Sequence, residues 1–167
     1  MDNPSFVYSL YIRATPEEVW AALTQTDFIQ KYFDGGGPKS DWKPGSAIAW
    51  KMDEETGYRD WGQQVLEADP PRRLVYSWHN YQPEMQKYFP WTDAQLAEYR
   101  KEPVSKVTFE VMPAIESPIR PGRTEWTKLT LVHDGFVPGS EMLNGISEGW
   151  PVIISKLKTE VEAAAER

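Results

Sequence analysis

Hydrophobic residues follow two different periods along this chain, and the change of period divides it. From Phe6 to Ile12 the residues alternate and are rich in β-formers, which predicts a first strand. Similar stretches run from Ala47 to Met52, with Ile48, Trp50 and Met52 on one face, and from Tyr58 to Ala68. Another runs from Arg73 to His79, with Leu74, Tyr76 and Trp78 on one face. Val104 to Met112 and Thr124 to His133 predict a final hairpin. Its faces carry Val107, Phe109 and Val111 on one strand and Thr127, Leu129, Leu131 and His133 on the other. Consecutive strands joined by short turns predict an antiparallel meander. The end of the chain changes period. Met142, Ile146, Trp150, Ile154, Leu157 and Val161 recur at spacings of four or three. They form one stripe of a long helix, with Glu148, Ser155, Lys158 and Glu162 mostly outside it. Such a helix laid across a curved sheet can enclose a cavity.

Local signals place the shorter elements. Thr15 can cap a helix that has Pro16 at its first position and Glu18 closing a capping box, with Val19, Trp20 and Leu23 as the apolar face. A second short helix is expected from Asp27 to Tyr32. The stretch Asp34-Gly35-Gly36-Gly37-Pro38 reads as a loop, since it lacks the Gly-Lys-Ser/Thr ending of a phosphate-binding loop. Asp53 to Gly57 reads as a polar hairpin turn without calcium-loop spacing. Pro70 and Pro71 end the long strand. Asn80 to Pro103 is too long for a simple turn. It holds its own helix signal, with Thr92 as cap, Gln95 completing the box and Trp91 able to staple onto Leu96. Tyr81, Tyr88, Phe89 and Trp91 precede that helix. The segment is either a small layer packed on the sheet or a lid or partner-binding flap. Within the terminal helix, Pro151 removes one hydrogen bond and opposes the Ser147 carbonyl. With Gly145 and Gly149 beside it, a kink near Ser147 to Trp150 is expected, or else a helix that starts at Trp150.

Composition narrows the class. The 167 residues suit one domain, 1–167, with an insertion at about 80–103. A net charge of −7 argues against nucleic acid and anionic membranes as partners. There is no cysteine for a disulfide, a thiolate metal site or a nucleophile. The N-terminus does not resemble a signal peptide, and no run approaches the roughly 18 apolar residues of a membrane span. The expectation is a cytoplasmic, soluble protein, monomer or homodimer, with no membrane insertion.

The order of strand, helix pair, antiparallel strands and long terminal helix resembles the helix-grip fold of the START and birch-pollen-allergen (SRPBCC) superfamily. Within it, the residues resemble the family related to the activator of heat-shock protein 90 ATPase. The stretches that carry this are Ile12 to Thr24, Pro44-Gly45-Ser46, Val65 to Trp78, Thr127 to Gly135 and Gly149 to Lys158. Together they cover most of the chain in the expected order. Where a tryptophan is expected at the end of the second short helix, this chain has Tyr32 or Phe33, and the 80–103 segment exceeds the turn expected there. The resemblance implies an α+β fold, with a curved antiparallel sheet wrapped around the terminal helix. It implies no single activity, because the superfamily hosts lipid carriers, cyclases and co-chaperones on one scaffold.

Candidate chemistry is sparse. His79 and His133 are the only histidines, and a metal site needs about three or four ligands. No Gly-x-Ser-x-Gly elbow is present. No catalytic residue, metal or cofactor is therefore assigned. Glu67, Glu110 and Glu148 lie within predicted elements, and any that faced inward would be a candidate acid or base. Eight Trp, eight Tyr and six Phe supply large apolar surfaces. Trp20, Trp50, Trp78, Phe109 and Trp150 fall at inward positions. A dry void of about 300 Å³ would cost about 7 kcal/mol at about 24 cal/mol per Å³, comparable to a domain's whole stability. The cavity must be small, wet or occupied, and a narrow, partly filled one is expected. Its expected lining is Trp50, Tyr76, Trp78, Phe109, Leu129, Leu131, His133, Met142, Ile146 and Trp150. The leading reading is non-catalytic binding of a small hydrophobic or aromatic molecule. The alternatives are a chaperone ATPase stimulator or other protein-interaction module, and an enzyme acting on an aromatic or polyketide-like substrate in the same cavity.

Overall fold

Strand β1 (Phe6–Arg13) leads at once into two short helices, α1 (Pro16–Thr24) and α2 (Thr26–Tyr32). Thr15 sets the first boundary. Its hydroxyl accepts the Glu18 N–H at 3.2 Å, and the Glu18 carboxylate accepts the Thr15 N–H at 2.8 Å. These bonds come from a computed structural model, which describes residues 3–114 and 126–166. Six more strands follow: β2 (Gly37–Lys39), β3 (Ala47–Lys51), β4 (Tyr58–Asp69), β5 (Arg73–Ser77), β6 (Lys106–Pro113) and β7 (Trp126–Asp134). They form one curled sheet in the order β1-β7-β6-β5-β4-β3-β2, antiparallel at every pairing. Between β5 and β6 lie a 3-10 turn (Pro83–Lys87) and helix α3 (Asp93–Tyr99), and α4 (Glu141–Ala165) closes the chain. This is the α+β helix-grip architecture that the resemblance implies.

Several local expectations are corrected. Gly37 to Lys39 is a short strand on β3, not loop. Gly37 permits it: its φ is +92°, and a Cβ there would lie 2.8 Å from the Phe33 ring. β5 ends at Ser77, so Trp78 and His79 stand just past it. α4 begins at Glu141 and continues through Pro151, as the stripe from Met142 predicts, so only the alternative start at Trp150 falls. Thr124 and Glu125, expected to begin the last strand, lie outside the described residues. Two irregularities in β4 also escaped the alternation pattern. Ile48 pairs with Gln63 but its neighbour Ala49 pairs with Asp60, which leaves Trp61 and Gly62 as extra residues. A second shift lies between Val65 and Glu67. After these bulges Gln63 and Val65 are buried while Glu67 faces out, bonded to Arg73 at 3.2 Å. Glu110 meets the same Arg73 at 2.6 Å, so neither carboxylate enters the interior.

α4 supplies the inner stripe. Ile146, Trp150, Ile154, Leu157 and Val161 are buried against the sheet and the α1–α2 pair. Each such side chain contributes about 1.5–3 kcal/mol. α4 also covers the free edge of β1. Lys158 donates to the Tyr11 carbonyl at 2.8 Å, and Glu162 accepts the Arg13 N–H at 3.0 Å. An i,i+4 pair on the helix thus occupies backbone groups that another strand would seek.

Candidate ligand-binding cavity

The space between sheet and α4 has a filled end and an open end. His133, fully buried, organises the filled end. The indole N–H of Trp150 can only donate, and it reaches His133 Nδ1 at 3.0 Å. Nδ1 must therefore be the acceptor, so Nε2 carries the proton and donates to the Ser105 hydroxyl at 2.9 Å. Burial and the nearby His79 push the His133 pKa down to about 3, so the ring is neutral at ordinary pH. Tyr76, Phe109, Leu129 and Leu131 are buried around it. Phe109 meets Trp150 edge-on at 5.9 Å, and Tyr76 lies 6.2 Å from Phe109. None of these five expected lining residues faces the open space: His133 is fully buried, and Tyr76, Phe109, Leu129 and Leu131 belong to the hydrophobic core.

The other five expected residues come together at the open end. Trp50, Trp78, Met142, Ile146 and Trp150 line a cavity of about 310 Å³. Trp50 and Trp78 meet at 4.8 Å, and Trp78 and Trp150 at 5.5 Å. Phe33 and Met52 extend the wall from α2 and the end of β3, and Ile153 extends it along α4. Phe33 lies edge-on to both Trp50 and Trp150. Gly145 and Gly149 form part of the α4 wall, and a Cβ at either would meet nothing within 4 Å. The exposed Gly145, Glu148, Gly149 and Phe89 sit at the rim, so the cavity opens to solvent and the cost of a dry void does not arise.

The 80–103 segment forms the remaining wall as a strap, contributing Met85, Phe89 and Trp91. Two anchors hold it. At one end the Tyr81 hydroxyl donates to Glu102 at 3.0 Å and accepts the Met142 N–H at 2.6 Å. Ser140 donates to the same Glu102 at 2.8 Å while accepting the Leu143 N–H at 3.2 Å. The strap thus supplies caps for the first turn of α4, whose N–H groups have no partners within the helix. At the other end Lys87 bonds Asp53 at 3.1 Å and Glu55 at 2.6 Å, and Tyr88 bonds Asp53. Hydrogen bonds from Thr56, with Lys87 beside it, hold Asp53 down to a pKa of about 2. The capping box of Thr92 and Gln95 on α3 forms as expected.

His79 was not expected in the lining. It sits between Trp50, at 5.1 Å, and Trp61, at 5.2 Å, and stacks on Trp78 at 4.6 Å. Gln63 donates its amide to the Ser77 carbonyl at 3.2 Å, which turns its own oxygen to His79 Nδ1, also at 3.2 Å. Nδ1 therefore carries the proton, and Nε2 keeps a lone pair without a hydrogen bond among the described residues. Burial lowers its pKa to about 3. The strap residues and His79 gave no signal in the strand pattern, because they lie past the strand end or in the long connection. Gly145 and Gly149 were legible only as helix-weakening residues beside the stripe. Among the described residues no group of three metal-ligating side chains occurs, and no helix is long and apolar enough to cross a membrane.

Comparisons with known proteins agree on the architecture. A protein of Mesorhizobium loti superposes with a TM-score of 0.68 at 24% identity, covering 96% of this chain and 98% of its own. The structure of an Aha1 dimer from Colwellia psychrerythraea gives 0.65 at 17%, covering 95% and 96%. An Hsp90 activator from Plasmodium falciparum gives 0.55 at 19%, covering 87% and 86%. No curated protein sequence matches the chain significantly. A family profile described as Activator of Hsp90 ATPase homolog 1-like protein matches residues 13–162. With that match spanning nearly its whole length, the chain belongs to the Activator of Hsp90 ATPase homolog 1-like family.

Proposed function

We propose that this protein binds a small hydrophobic or aromatic molecule in the cavity between α4, the sheet and the strap, without transforming it. The observation that carries this is an open space of about 310 Å³ walled by aromatic and methionine side chains. That volume falls in the range of small-molecule sites. A purely structural core would close such a space, as the filled end around His133 does. The absence of chemistry in the proposal has a physical basis. Glu67 and Glu110 face outward onto Arg73, Glu148 stands exposed at the cavity rim, and a histidine with a pKa near 3 is a poor base at neutral pH. The test is a thermal-shift and tryptophan-fluorescence screen with apolar and aromatic compounds. A ligand at a hundredfold its Kd should add about 2.7 kcal/mol of stability. The same compound should have no effect on Gly149→Leu, whose side chain would enter the space. If no apolar compound shifts the melting temperature, the proposal is lost.

The family match supports a second reading, stimulation of a chaperone ATPase through protein contact. The exposed aromatics Tyr88 and Phe89 on the strap offer a contact surface for it. An ATPase assay with the cognate chaperone decides: unchanged turnover removes this reading.

A further inference from the structure

The charged side chains lining the cavity are Glu141 and Glu148, seven residues apart and so on one face of α4. Neither forms an ion pair or a hydrogen bond among the described residues. The carboxylates nearby behave differently: Asp53 and Glu55 hold Lys87, Glu54 holds Lys51, and Glu102 holds Tyr81 and Ser140. Glu141 gains something from the helix N-terminus, but Glu148, two turns further on, does not. Among the described residues no Lys or Arg lines the space.

The same cavity is lined by the rings of Phe33, Trp50, Trp78, Phe89, Trp91 and Trp150, with methionine and isoleucine side chains between them. Aromatic faces attract a cation electrostatically, most strongly where water is displaced. His79 adds a third independent observation. It is 8% exposed, it lines the same cavity, and its Nε2 lone pair is unclaimed. An acceptor in that position calls for a donor on the guest. An anionic guest would meet two like charges, whereas a neutral hydrocarbon would leave the carboxylates and the imidazole unused.

We infer that the guest of this cavity is a hydrophobic amine in its ammonium form, with its apolar body against the tryptophans and its charge toward Glu141 and Glu148. This rests on the ligand-binding reading above and names its chemical class. The single N–H of a tertiary ammonium would donate to one of these acceptors, a carboxylate or His79 Nε2, while its charge is balanced by the carboxylates.

The test compares benzyldimethylammonium with isobutylbenzene, which has the same shape but a carbon in place of the charged nitrogen. Binding is read by tryptophan fluorescence at neutral pH and low salt. The ammonium should bind at least about tenfold more tightly, the scale expected when a cation–π contact adds to charge attraction. Glu141→Gln/Glu148→Gln, which keeps side-chain shape, should reduce that advantage to under about threefold. Raising salt to 0.5 M should weaken the ammonium and leave isobutylbenzene unaffected in the native chain, a readout independent of how the variant folds. Equal binding of the two probes overturns the ammonium proposal and leaves the cavity reading standing. An advantage that survives the double substitution overturns the role of the carboxylates. If neither probe binds, the cavity reading falls and this proposal falls with it.

Discussion

At the scale of single residues, His133 and Trp150 show how one donor can fix a neighbour's chemistry. The indole N–H forces Nδ1 to accept, and the Ser105 contact follows from that tautomer. His133→Phe would leave the Trp150 donor and the Ser105 hydroxyl buried without partners. Each orphaned group costs about 1–3 kcal/mol, so urea denaturation should show a loss of about 2–6 kcal/mol. A loss under 1 kcal/mol would mean the network adds nothing. Gly149 makes the opposite case. Because a Cβ there meets open space, Gly149→Ala should stabilise the protein by about 0.5–1 kcal/mol through helix propensity alone. Alternation already placed His133 inward, and the helix stripe placed Trp150 inward. The bond between them was not legible, because a periodic pattern gives the face of an element and not which side chains meet across a gap. His79 was illegible for a related reason: it follows the last paired residue of β5, where the period-two rule no longer applies.

At the scale of elements, the boundaries that were read correctly are the ones with local chemistry. Thr15 with Glu18 and Thr92 with Gln95 satisfy their own helix starts, so the short-range sequence is sufficient. β2 has three residues, including a glycine and a proline, and takes its conformation from its pairing with β3. The β4 bulges likewise depend on a partner strand, which no local pattern contains. Two element-level contacts give predictions. Lys158→Ala/Glu162→Ala uncovers the Tyr11 carbonyl and the Arg13 N–H on the β1 edge. Sedimentation velocity should then show more association than in the native chain at equal concentration. An unchanged distribution would show that the edge needs no guard. The strap gives the second. Tyr81→Phe removes both the donor to Glu102 and the acceptor for Met142 N–H. It should cost about 1–3 kcal/mol and speed amide exchange at Met142. Lys87→Ala, at a half-exposed ionic contact, should leave the denaturation midpoint nearly unchanged.

At the scale of the whole molecule, the two histidines set a pH response. Burial holds both folded-state pKa values near 3, against an ordinary value of 6.5. As pH falls below 6.5 the unfolded chain takes up two protons that the folded chain refuses, so stability falls with pH until about pH 3. Chemical denaturation should show a loss of roughly 4 kcal/mol between pH 6.5 and 4.5, about half of it absent in His79→Gln. Asp53, with its depressed pKa, adds to the loss only below about pH 4. Flat stability across pH 6.5–4.5 would show that the histidines are not held neutral by the fold. The helix-grip arrangement was legible through the family resemblance that the element order carries, and the six strands and one long helix read from the periods have few ways to bury their faces together. The shape of the open end was not, because it depends on a strap that belongs to neither pattern. That strap takes no part in the sheet and hangs from Tyr81, Glu102 and Lys87. It is therefore a cassette. On the ligand-binding proposal, another sequence spliced between Tyr81 and Glu102 would present a different wall to a guest while every strand pairing of the sheet is kept, so selectivity would diversify by exchange of one segment.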